Sequence, residues 1–301
     1  MKLQILDLDG SLIEQKDFYH DRAVKIVPLR EWGPSIRICC SFSAFRRFEE
    51  TCKKKCLQAG QDPVISFFGS GDFHHVTLSM LRQLHDPFNV LVLDKHPDWM
   101  CGAPLMHCGT WVAHAVQLPN LQHLFHLGGA LDLENWLYRF APWKHLSAGR
   151  VKVVPALKKL TRGRWRSVAY EPLRAAPAQP LSVERLESLC ADFQSDMARF
   201  PLYISIDKDV MRASEAPTNW DSGYLELDEV RRIVTRLVGT TGAKVIGMDV
   251  LGDWSRPVMH GLLRKILNKT EHPAIEVQPE RAMVANSRTN RILLETFMSL
   301  V

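Results

Sequence analysis

The sequence predicts a three-layer α/β/α fold on a mainly parallel sheet of about eight strands, and three observations predict it. Short apolar, β-rich runs alternate with segments of helical period, as in a parallel sheet whose crossovers are helices. Most of those runs are apolar throughout instead of alternating, which suits strands covered on both faces. Four of them end abruptly in acidic or imidazole residues: "VISFF" runs into "GSGDFHH", "VLVL" into "DKHPD", "LYISI" into "DKDV" and "KVIGM" into "DVLGD". In open α/β sheets ligands bind beyond the carboxyl ends of the strands.

Taken in order, strands are expected at Leu3–Leu6, Ile36–Cys40, Val64–Phe68, Val90–Leu93, His123–Leu127, Val151–Val154, Leu202–Ile206 and Lys244–Val250. Helices are expected near residues 42–58, 76–84, 109–116, 183–197, 226–238 and 289–300. No repeat or low-complexity tract interrupts the alternation. The stretch from Ala141 to Pro180 is richer in Pro, Arg and Lys and reads as a long excursion from a single domain spanning residues 1–301.

A chain of 301 residues can bury a substantial core. Its net charge of +5 is mild, and clusters such as "CKKKC" and "LTRGRWR" are short and scattered, as on solvated faces rather than a nucleic-acid track. No apolar run approaches a membrane span, and "MKLQILDLDGS" lacks the apolar core of a signal peptide, so a cytoplasmic location is expected. Seven cysteines fit a reducing compartment. Cys39, Cys40, Cys52 and Cys56 match no standard zinc spacing and read as ordinary thiols. A homo-oligomer is left open.

Residues at i, i+2 and i+4 of an extended chain point the same way. Asp94, His96 and Asp98 can therefore converge, as can Asp207 and Asp209. Carboxylates crowded together repel one another, and divalent cations remove that penalty. Mixed carboxylate and imidazole donors suit Mn, Fe, Ni or Zn better than Ca. Two metals about 3.5–4 Å apart would absorb this many acids and activate a water between them. An isolated Asp at a strand end is more often a cap or turn former, and a lone His a satisfied core residue. D-x-H-x-D and D-x-D, each directly after a buried run, outweigh that reading.

The series "GSGDFHH … DKHPD … HCG … SIDKD … GMDVLGD" resembles the arginase and ureohydrolase superfamily, in the family's order and over roughly Gly69 to Asp253. The resemblance implies the arginase/deacetylase-like fold and a dimanganese centre that hydrolyses a guanidino C–N bond. It makes Asp94 and Asp207 bridging carboxylates, with His74 and Asp98 completing one metal and His96 and Asp209 the other. The "GSGDFHH" turn is one residue longer than the family pattern, so His75 is an alternative to His74. His107 matches the family's His-Gly position with Cys108 intervening and would relay protons. Asp253 would pair with a guanidinium, Gly252 being the other aligned position and Asp249 a weaker choice.

The loop "WMCGAPLM" departs from arginases that act on free arginine, which carry Asn, Ser and Thr there for the amino acid's charged ends. Arginine within a peptide, converted to ornithine with release of urea, is the expected substrate; Asp132 and Glu134 in "GGALDLE" are the fallback clamp for a free amino acid. Trp99, Trp111, Trp220 and Trp254 flank the motifs and could line a cation's path or simply pack. Two rival enzymes are weighed. "LDLDGSL" resembles haloacid-dehalogenase-type phosphatases, with Asp7 as nucleophile and Asp9 as acid/base, although a turn after the first strand explains both. A zinc deacylase on the same fold would use Asp94, His96 and Asp207, with His74 and His75 as a tandem acid/base pair. A metal-stabilised binding protein is the non-enzymatic alternative.

Overall fold

Four neighbouring strands at the centre of one parallel sheet carry the four acidic ends. A computed structural model of the chain describes residues 1–59, 62–132, 140–159, 183–273 and 277–301. Its strands are β1 (Lys2–Asp7), β2 (Val24–Pro28), β3 (Cys39–Cys40), β4 (Val64–Phe67), β5 (Phe88–Leu93), β6 (Met106–His107), β7 (Leu121–Leu127), β8 (Ala130–Asp132), β9 (Val151–Val154), β10 (Leu157–Lys159), β11 (Leu202–Asp207) and β12 (Val245–Leu251). Eight of them form a sheet in the order β2-β1-β4-β12-β11-β5-β7-β9, every pairing parallel. The register sets Leu93 of β5 beside Ile206 of β11 and Val250 of β12 beside Phe67 of β4, so the four motifs leave the sheet at one level.

The helices are α1 (Gly33–Ile36), α2 (Phe42–Lys55), α3 (Val76–Leu81), α4 (Trp111–Ala115), α5 (Trp143–Ser147), α6 (Val183–Met197), α7 (Leu227–Thr241), α8 (Leu262–Glu271) and α9 (Pro279–Met298). Successive strand residues point to opposite faces, and so β5 feeds two cores. Leu91 and Leu93 pack with Phe193 of α6, Ile233 and Leu237 of α7 and Phe297 of α9. Val90 and Val92 pack with Phe45 and Phe48 of α2 and Trp111 and Val112 of α4. These are the three expected layers. α7 is typical of the supporting helices: Glu226 and Glu229 form a reciprocal cap at its start, and Gly242 ends it in the left-handed region at φ 66°. Its buried Leu227, Val230, Ile233, Val234, Leu237 and Val238 follow helical spacing on one face. Among the described residues no helix is long and apolar enough to cross a membrane.

Seven of the eight expected strands lie in this sheet, and Ile36–Cys40 does not. Gly33 and Pro34 start a helical turn that runs to Ile36, Ile38 takes a left-handed φ of 65°, and only Cys39–Cys40 is extended, antiparallel to β6. The eighth strand is β2, whose exposed Lys25 and Ile26 and terminal Pro28 mark an edge. α8, which buries no residue, was not expected, and α9 begins ten residues before the expected 289, with Pro279 in its first turn. Most of the Ala141–Pro180 excursion lies outside the described residues.

Candidate metal centre

Asp94 and Asp207 each use one oxygen to shape their own loop and turn the other toward the His74 ring. Asp94 accepts the His96 N–H through Oδ1 (2.7 Å) and turns Oδ2 toward the His74 ring, 3.1 Å from Nδ1. Asp207 accepts the Asp209 N–H through Oδ1 (3.0 Å), leaving Oδ2 3.6 Å from His74 Nδ1. Asp209 accepts the Lys95 N–H through Oδ1 (3.1 Å) and meets His96 Nδ1 with Oδ2 at 2.7 Å. Asp98, in the left-handed region at φ 47°, lies 2.9 Å from His74 Nδ1 and accepts the Trp111 indole N–H at 2.9 Å. A turn former and a ligand are thus the same residue.

Two groups of ligand-type atoms result, each compact enough for one ion: His74, Asp94 and Asp98, and Asp94, His96 and Asp209. Asp94 belongs to both. The structure brings five of the six residues expected at the metals into these groups, and the sixth, Asp207, stands beside them with Oδ2 3.6 Å from His74 Nδ1. Oxygen and imidazole donors in two adjoining triads fit two small divalent cations of the Mn, Fe or Zn type.

The histidine that enters the site is prepared from behind. Ser205 donates to Asp249 Oδ1 at 2.6 Å, so its oxygen is left to accept from His74 Nε2 at 3.1 Å. That bond suits a proton on Nε2, so that with a cation in place of the Nδ1 proton the ring has the tautomer a ligand needs. Tyr203 donates to the other Asp249 oxygen at 2.8 Å. Asp249 is therefore a fully buried support for His74 and not a contact for substrate.

Without cations the cluster is electrostatically frustrated. Burial, reinforced by Asp209, pushes the Asp207 carboxyl up to about 8 from 3.8. Burial and the Asp94 charge raise Asp209 to about 6. Burial opposes protonation of His74 and His96, yet the carboxylates beside them hold both well above 6.5. The folded protein then holds more protons than the unfolded chain between about pH 6.5 and 8, and its stability falls as pH rises through that window. Buried histidines with lowered pKa, such as His75 and His126, act in the opposite sense only below 6.5. Chelated protein is thus expected to lose melting temperature from about pH 6.5 to 8, while manganese-loaded protein does not follow it down. A chelated protein that gains stability over that range contradicts the clustering.

The remaining expected residues separate. His75 packs against Phe45 (ring centroids 5.7 Å apart), is pushed down to about 3 by burial, and does not line the cavity above the cluster. This removes both the alternative to His74 and the tandem pair that a deacylase would need. Asp253 corrects the sequence-based expectation: it is fully buried, ion-paired to Lys208 Nζ (2.9 Å) and bonded to Gln15 (2.7 Å) and Asn290 (3.0 Å), and it does not line the cavity. The positive φ of Gly252, 93°, turns the chain away before Asp253. His107 does line the cavity; its Nδ1 accepts the Gly109 N–H at 2.9 Å and its Nε2 lies 3.1 Å from Glu271. Trp99 and Trp220 line the cavity, Trp111 packs beneath it against His74 (4.8 Å), and Trp254 lies by Asp9 in another cleft. Asp7 pairs with Arg30 at 2.7 Å, and Asp9 accepts the Ser11 N–H (3.0 Å) and the Ser255 hydroxyl (2.7 Å), as residues shaping a turn. Asp132 ends β8, and Glu134 lies outside the described residues.

Three residues near the centre were not anticipated. Ser205 is two positions before Asp207 and on the same side of β11, a signal that period-two reading could have used. Asp221 meets His96 Nε2 at 3.1 Å and also pairs with Lys95, while Glu271 reaches the cavity from α8. The cavity holds about 340 Å³.

The fold is shared with solved structures of an amidino hydrolase, an arginase and a formimidoylglutamase. Proclavaminate amidino hydrolase of Streptomyces clavuligerus is 15% identical, with a TM-score of 0.50 over 96% of this chain and 92% of that one. An arginase of Medicago truncatula is 12% identical, with a TM-score of 0.53 over 98% of this chain and 86% of that one. In sequence, an uncharacterized protein of Thermotoga maritima is 24% identical over 189 residues, which is 63% of this chain and 58% of that relative. No family profile matches the chain.

Proposed function

We propose that the chain is a single-domain binuclear metallohydrolase, with manganese as the resident metal, that cleaves a guanidino C–N bond and releases urea. The observation that carries the reading is Asp94, shared by two ligand triads at the floor of a cavity on an arginase-like fold. His74, Asp94 and Asp98 would hold one ion, Asp94, His96 and Asp209 the other, with Asp207 between them. When bound, such a pair of cations supplies Lewis-acid activation of water near neutral pH. The neighbours' names, arginase and amidino hydrolase, support a guanidino substrate. His107, with Nδ1 held by Gly109 and Nε2 toward Glu271, lines the cavity wall and would move the proton.

The lining also bears on the size of the substrate. Among the described residues no Lys or Arg lines the cavity, and its wall from Trp99 to Met100 and at Cys108, Gly109 and Ala130 is apolar or small. The α-carboxylate of a free amino acid would lose water without gaining a partner there, whereas a peptide presents neutral amides. Arginine flanked by amides is therefore expected to have a kcat/KM on the order of 10- to 100-fold above that of free arginine. Urea release from N-acetyl-arginine methylamide and from arginine, at matched concentrations with manganese, measures it. Equal or better use of the free amino acid removes the peptide assignment, and absence of urea from either, and from agmatine, removes the hydrolase assignment.

A further inference from the structure

Gly252, one of the two positions set above against the ureohydrolase family's late acidic residue, has no room for a side chain in this protein. A Cβ on Gly252 would lie 2.5 Å from Asp207 Oδ1 and 2.7 Å from the Lys208 nitrogen, both fixed parts of the centre, and its φ of 93° disfavours any L side chain. The next residue, Asp253, is committed to Lys208 behind the sheet end. A site for a cation built on this chain must find its carboxylate elsewhere.

Among the described residues one carboxylate lines the cavity without belonging to the aspartate cluster, and that is Glu271. It comes from the last position of α8, far from the strand ends in sequence. An anion at a helix C-terminus faces the negative end of the helix dipole, so local helix energetics do not explain it. His107 holds it in place. Because His107 Nδ1 accepts the Gly109 N–H (2.9 Å), the ring proton is on Nε2 and is donated to Glu271 Oε2 at 3.1 Å. Oε1 accepts no hydrogen bond from the described residues, and the side chain is 29% exposed. Trp220 lines the same cavity with its indole N–H tied to Asp72 at 3.0 Å, which supplies an aromatic ring to the same lining.

We propose that Glu271, held by His107, is the specificity residue that receives the planar cation of the substrate, taking over a role that Gly252 and Asp253 cannot fill. This rests on the guanidino reading above and adds which residue recognises the charge. Two N–H groups of an amidinium-type cation match the spacing of a carboxylate, and a neutral urea of the same shape lacks the charge.

Calorimetric binding of methylguanidinium and of methylurea to the manganese-loaded protein and to Glu271→Gln separates the two readings. The glutamine keeps an oxygen to accept from His107 while removing the charge, and metal content is measured on both proteins. The wild type should prefer methylguanidinium, and the variant should lose that preference by about 10- to 100-fold at unchanged metal content. Its kcat/KM for urea release should fall by a similar factor. A variant that keeps the preference, or a wild type that binds neither probe, overturns the assignment. A wild type that releases no urea but loses cation preference in Glu271→Gln sustains Glu271 as the cation site while the hydrolase reading fails.

Discussion

Asp94→Ala is expected to empty both metal positions and to reduce urea release to the level of chelated protein. The expectation follows from the two oxygens of one carboxylate, Oδ2 beside His74 at 3.1 Å and Oδ1 on the His96 side, bonded to the His96 N–H at 2.7 Å. Neither triad keeps three ligand atoms without it. Asp98→Ala, by contrast, breaks only the triad with His74, and Asp209→Ala only the triad with His96. Metal analysis should then give about two ions per chain for wild type, about one for each single-triad variant and none for Asp94→Ala. The same substitution removes one of four crowded acids, so chelated Asp94→Ala should melt above chelated wild type. Retention of full metal content by Asp94→Ala would remove the shared-ligand arrangement.

Lys208→Met should be among the most destabilising single changes in the chain, by about 3–5 kcal/mol, because it strands a buried carboxylate. Lys208 lies between Asp207 and Asp209 but points the other way, into a fully buried site. Its ammonium meets Asp253, Asn286 and Asn290, each at 2.9 Å. Burial lowers its pKa and the Asp253 charge opposes that shift. The pair therefore anchors the Asp207–Asp209 turn to α9 and fixes the height of both carboxylates above the sheet. Lys208→Met with Asp253→Leu removes both charges and should recover most of the loss. Urea denaturation of the two variants measures it. A single variant within about 0.5 kcal/mol of wild type would show that the pair is not an anchor.

Five of the six candidate ligands were legible because their spacing is local, whereas His74 was reached only through the family resemblance. D-x-H-x-D and D-x-D project alternate side chains to one side at the ends of apolar strands, and the parallel sheet brings those ends together. Asp253 misled for the opposite reason: period two continued from Asp249 and Leu251 places it on the site, but the left-handed Gly252 redirects the chain. Ile36–Cys40 misled because an apolar run after Gly-Pro can close a helical turn as readily as it extends. Glu271, Asp221 and the Arg37–Asp72–His272 contacts join segments far apart in the chain, at 2.6 Å and 2.7 Å for Asp72, and no spacing rule reaches them. The edge strand β2 was hidden by its exposure: with water on one side, its sequence need not be an apolar run.

Diffraction from manganese-soaked crystals, recorded on either side of the manganese absorption edge, tests the binuclear centre most directly. Two anomalous peaks are expected, one among His74, Asp94 and Asp98 and the other among Asp94, His96 and Asp209. A single peak held by Asp94, His96 and Asp207, or no peak at these residues, would contradict it.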